Sequence, residues 1–139
     1  MNPQRQALGI IHDEHRTLGA VIDAFRHIID DIAAGNLSPD YKLLWSIVYY
    51  IEEFPNRLHH PKEDEVLFPL VRARAADIGA TLDDLTRQHD NGGPFLDRIK
   101  TQLGRLQAGI PGIAPQLAEN VATYASFHQR HMVQEESVV

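Results

Sequence analysis

Apolar residues recur three and four apart in three separate stretches of this chain, and that period leaves the α-helix as the regular structure it can build. The first stretch holds Leu8, Ile11, His15, Leu18, Ile22, Phe25, Ile29 and Ile32. The third holds Leu82, Leu85, His89, Gly92, Leu96, Ile99, Leu103 and Leu106, and the fourth Leu117, Val121, Tyr124, His128, His131, Glu135 and Val138. Between them a rougher segment, interrupted by Pro55, Pro61 and Pro69, still aligns Val48, Ile51, Pro55, His59, Glu63, Val66 and Leu70 near one face. Turn residues separate the four. The first helix is expected over about Pro3 to Ala34, stopping at Gly35-Asn36; the second opens at Ser38-Pro39, read as an N-cap and first-turn proline, and runs to about Ala75. The third spans about Thr81 to Leu106, and the fourth follows Gly109-Ile110-Pro111-Gly112 to the end. No sustained alternation marks a strand. The expectation is one all-α domain over residues 1–139, an antiparallel up-down four-helix bundle.

Each seam carries polar residues that a plain core would not. His15, His59, Glu63, His89, His128, His131 and Glu135 all stand at seam positions, so every helix contributes at least one. Carboxylates are rarely buried unless paired or bound to metal. His59 and Glu63 are four apart, as are His131 and Glu135, and residues four apart on a helix reach toward the same point. The segments around them repeat a pattern of His, three residues, Glu, an acid, any residue, Val and an apolar residue. Two His-Glu arms from two helices, with one histidine from each of the others, make a dinuclear carboxylate site. A salt-bridged glutamate would need an arginine in the seams, and none stands there. The donors are nitrogen and oxygen without sulfur, which favours non-haem iron; manganese and zinc fit the same donor types.

Composition narrows the chemistry further. The 139 residues contain no cysteine, which excludes disulfides, thiolate metal sites, iron–sulfur clusters and a cysteine nucleophile. The formal net charge of −6, without a basic run, gives no footprint for nucleic acid. No apolar run approaches membrane-spanning length and the N-terminus lacks a signal-peptide core, so a cytoplasmic protein that does not enter the membrane is expected. Phosphate loops, dinucleotide fingerprints, zinc-protease motifs and nucleophile elbows are absent from the sequence.

The motifs that carry these donors resemble the hemerythrin-like, HHE cation-binding family. The resemblance rests on Asp13-Glu14-His15-Arg16, the run HHPKEDEVLFP from His59 to Pro69, the lone His89-Asp90, and His131-Met132-Val133-Gln134-Glu135-Glu136, and covers nearly the whole chain. It implies an antiparallel bundle holding two non-haem iron ions that meet dioxygen, nitric oxide or peroxide, or that sense iron. By position it implies that His15 and His59 bind one iron, His89 and His131 the other, and that Glu63 and Glu135 bridge. The chain also departs from the pattern. Hemerythrins proper carry a second histidine four residues after the third-helix one, where this sequence has Gly93. The site is then one imidazole poorer than an oxygen carrier's, which leaves room for water or an open position. Glu135 also lies four residues from the end of the sequence, where helices tend to fray, whereas the family's last helix usually continues further.

The remaining candidates have plainer readings. His12, His27 and His60 lie off the seams and are expected at the surface, with His60 able to reach the site if Pro61 bends its helix. His128, one turn from His131, is expected to line the pocket rather than bind metal, and Tyr124 to be core. Trp45 has no partner that marks it as functional, and Glu52-Glu53 and Asp83-Asp84 read as solvated or helix-start acids. Function stays open between a diiron protein that binds or senses a small ligand, a diiron enzyme of peroxidase-like or nitric-oxide-reducing type, and a metal-dependent regulatory module with a protein partner that the sequence does not name.

Overall fold

The computed structural model describes the backbone of residues 3–54 and 79–138, and side-chain surroundings chiefly for 13–53 and 93–135. Among the described residues there are four helices and no strand: α1 Pro3–Ala33, α2 Tyr41–Phe54, α3 Gly79–Gln107 and α4 Ile113–Val138. The seam of α1 is buried from His15 through Leu18, Ile22, Phe25, Ile29 and Ile32. Leu44, Val48 and Ile51 bury from α2, Leu96, Ile99 and Leu103 from α3, and Leu117, Val121 and Tyr124 from α4, into the same core. The expected seam positions Leu8, Ile11, Leu82, Leu85, Gly92 and Val138 lie outside the described side chains, as does the second-helix segment beyond Phe54.

The helix ends follow the turn chemistry, with one correction. Gly35 takes φ +79°, and the amides of Gly35 and Asn36 bond back to the carbonyls of Ile32 and Asp31, closing α1 with its loose carbonyls satisfied. Gly109, at φ +81°, closes α3 the same way, with Gly109 and Ile110 bonding to Leu106 and Arg105. The start of α2 is later than Ser38-Pro39: Asp40 is its N-cap, its Oδ1 accepting from the Leu43 amide at 3.2 Å. The ordinary value of an aspartate cap accounts for the shift, since its side chain reaches the third helical amide from the residue just before Tyr41. Pro39 therefore precedes the helix instead of lying in its first turn.

Cross-helix contacts fix the directions. Tyr41 and Trp45, at the start of α2, donate to the Leu106 carbonyl and to Gln107 Oε1 at the end of α3, at 3.2 and 2.7 Å. Further along, Lys100 Nζ meets Glu52 Oε2 at 3.0 Å, so α2 and α3 run antiparallel. Asn120, early in α4, donates to Gln102, late in α3, at 2.6 Å. His15, in the first half of α1, meets Glu135 near the end of α4. Each helix packs against two others in the order α1, α2, α3, α4 and back to α1. The start of α1, the end of the described part of α2, the start of α3 and the end of α4 share one end of the bundle. All the expected donor positions on described helices stand toward that end.

The Asn120–Gln102 bond gives a first test. Gln102 is buried, so removing its donor leaves a polar group with no replacement from water. Asn120→Ala is expected to lower stability by about 1–3 kcal/mol in urea unfolding, and Gln102→Leu/Asn120→Leu to recover much of that. A double variant no more stable than Asn120→Ala would show that the pair is not what holds α3 to α4 there.

Candidate metal centre

At the shared end of the bundle, α1 and α4 bring three donors together. Glu135 is 1% exposed, and His15 and His131 are each 4% exposed. Glu135 Oε1 lies 2.8 Å from His15 Nε2, and Glu135 Oε2 lies 3.1 Å from His131 Nε2. The two oxygens of one carboxylate thus face two different imidazoles, one on its own helix and one on the neighbouring antiparallel helix. The pairing within α4 follows from the four-residue spacing, which stacks His131 under Glu135. The pairing across helices follows from the antiparallel register. Among the described residues, no three histidine or acidic side chains converge on a single point fit for one ion. The geometry instead divides the donors between the two ends of a carboxylate.

The buried carboxylate carries the electrostatic argument. Taking an ionised carboxyl out of water costs several kcal/mol, roughly, unless opposite charge and hydrogen bonds replace the lost hydration. Two imidazoles, His15 and His131, stand at ion-pair distance from Glu135. Imidazole nitrogens and carboxylate oxygens together form a donor set suited to borderline divalent metals, so the residues present fit a metal cation. Helix α4 extends to Val138, and Glu135 lies inside the core.

The other expected donors are divided by what the structure describes. His89 stands on α3, but its side chain, like that of His12, lies outside the described side chains. His59 and Glu63, with His60, fall in residues 55–78, outside the described residues. His128 is 6% exposed and stands one turn before His131 on the same seam. Its ring lies 6.3 Å from that of Tyr124, nearly parallel at 16°. Burial pushes the Tyr124 phenol above its ordinary pKa, so at neutral pH this ring is a neutral packing group, as its seam position predicts. His27 is exposed, its Nδ1–H donating to the Asp23 carbonyl at 2.8 Å, in line with the surface reading. Among the described residues, a Cβ built at Gly93, where hemerythrins proper carry a histidine, meets nothing within 4 Å.

One buried acid escaped the sequence reading. Glu14 is 8% exposed, beside His15 and one place off the apolar period. The seam leaves it outside because the period runs through His15. The side of α1 that holds Glu14 also holds Val21 and Ile28, both packed on the core, so the apolar face is one residue wider than a strict three-and-four stripe.

The profile of the hemerythrin HHE cation binding domain matches residues 6–139. The chain belongs to this family. No curated protein and no solved structure matches it. Family membership makes this HHE chain a cation-binding domain, and its all-helical four-helix architecture is the one the sequence predicts. No described helix is long and apolar enough to cross a membrane.

Proposed function

We propose that this HHE domain holds two non-haem iron ions on His15, His59, Glu63, His89, His131 and Glu135, and uses them to bind or sense dioxygen, nitric oxide or peroxide. The observation that carries the reading is the Glu135 carboxylate, buried, with one oxygen at His15 and the other at His131. A carboxylate can join two ions by offering one oxygen to each. The assignment of His15 and His131 to different ions agrees with that division. Iron so held supplies redox chemistry and a place for a small ligand that the polypeptide itself lacks.

The chain's own residues supply the rest. The helices hold both imidazoles at fixed distance from the carboxylate. His15, His131 and Glu135 are buried, which strengthens the charge interactions among them. Gly93 leaves space where a further imidazole would otherwise stand. One imidazole fewer than an oxygen carrier's site leaves an additional position for water or a small ligand.

The test is stoichiometry with spectroscopy. Full-length chain loaded with ferrous iron under nitrogen is expected to hold about two ions, since each needs several protein donors plus solvent. Its optical spectrum should change on exposure to nitric oxide, peroxide or air. One tight ion with no second at excess iron would contradict the dinuclear site. Two ions with a spectrum indifferent to all three ligands would contradict the ligand-handling role while leaving the metal site standing.

A further inference from the structure

Beside the metal-binding end, α1 and α4 part to leave a cleft of about 270 Å³. Gly19 and Ile22 form its α1 wall, and Ala125 and Met132 its α4 wall. His128 lines its inner side, one turn from His131, while Asp23 and Arg26 stand at its mouth. Gly19 is one turn from His15, and Met132 is the residue next to His131, so both walls adjoin donors of the proposed site. At about 1.5 Å of rise per residue, Gly19 stands about 6 Å along α1 from His15.

Resting on the diiron reading above, we infer that this cleft is the entrance by which small uncharged molecules reach the metal centre. Three features point to that class of ligand. The mouth carries one charge of each sign, so it offers no net field to gather an ion. Gly19, Ile22, Ala125 and Met132 line the cleft with apolar groups or bare backbone, with Gln129 and His128 as its uncharged polar side chains, which suits a neutral solute that gives up little hydration on entry. The space is small, and it is open because position 19 lacks a side chain: a Cβ built there comes 3.5 Å from Met132 Cε. That first carbon is in ordinary contact, so a longer side chain from the same point must lie in the cleft. Met132 is the movable wall, a flexible thioether side chain that can swing to widen or close the passage. Gly19 and Met132 thus set the bore, and His128 forms the inner face against which an entering molecule arrives.

The two methionines of the sequence make the test direct, because a chain labelled at methionine methyls gives two signals, Met1 and Met132. Xenon serves as a neutral probe. In the full-length zinc-loaded chain, and equally in the chain as purified, the Met132 methyl signal is expected to shift with xenon pressure. Gly19→Leu, which replaces a helix-weakening residue by a helix former, should fold and abolish the shift. In the iron-loaded chain, Gly19→Leu should slow nitric oxide association about tenfold, since entry then waits on side-chain movement, with iron content unchanged. Gly19→Ala should give a smaller slowing. A Met132 signal indifferent to xenon, or an association rate unaltered by Gly19→Leu at equal iron content, would overturn the entrance. Failure to load iron would sink the diiron reading, and the xenon response would still decide whether the cleft admits a small neutral molecule.

Discussion

Glu135→Ala is expected to strip metal from both positions at once while the four helices stay formed. Removing a group that merely orients a ligand already costs about 10–100-fold in metal affinity, so loss of a shared ligand should cost at least on the order of 100-fold at each ion. Two adjacent cations without a carboxylate between them also repel each other more strongly, which makes the losses cooperative. The fold should survive. Alanine removes a buried charge from the metal-free chain, and a buried carboxylate is itself a burden on stability. Glu136→Ala is the matched control: it is the next residue, five rather than four from His131, and metal content should remain nearly intact. Circular dichroism and metal analysis on the same samples distinguish a damaged site from a damaged bundle. If Glu135→Ala keeps both ions, the carboxylate is not a bridge, whatever holds the metal.

Phe25→Ala should have the largest effect on the bundle itself. Phe25 is among the largest fully buried side chains, packed with Leu18, Ile22 and Ile29 of its own helix in the common core. Truncating a buried phenylalanine costs about 3–5 kcal/mol, from lost burial and the cavity left behind. Domains have only about 5–15 kcal/mol in hand, so much of the stability would go, and Tm should fall by roughly 10–20 °C. Tyr49→Ala, at a side chain 65% exposed on α2, should shift stability by less than about 0.5 kcal/mol. Phe25 stands ten residues from His15 along α1, about 15 Å at the helical rise, so metal bound per folded chain should change little. Equal effects of the two substitutions in thermal unfolding would mean that the core is not where the α1 seam places it.

The seam of α1 was legible because an uninterrupted period of three and four has one geometric meaning. The same period placed Tyr124, His128, His131 and Glu135 inside, and the turn glycines Gly35 and Gly109 marked where helices stop. Capping was less legible. Ser38-Pro39 and Asp40 are all good N-terminal residues, and only the bond from the Leu43 amide decides for Asp40. The His131–Glu135 contact could be read from spacing along one helix. The His15–Glu135 contact could not, because it depends on how far α1 and α4 slide past each other, which packing along their whole length sets. Glu14 was hidden for a related reason: the width of a buried face depends on the neighbouring helices, not on the period of one. The Gln102–Asn120 pair was invisible because neither residue lies on a seam; Gln102 is buried and Asn120 half-buried where α3 meets α4. The family resemblance carried by the His-Glu motifs agrees with the profile match over residues 6–139.

In the proposed site one carboxylate, Glu135, joins two metal ions. Anomalous diffraction at the iron absorption edge, from crystals of the iron-loaded chain, tests it most directly. Two peaks about 3.5–4 Å apart are expected, the spacing of paired metals, both in contact with the Glu135 carboxylate, one toward His15 and one toward His131. A single peak, or peaks that leave the Glu135 carboxylate out of contact with either ion, would contradict it.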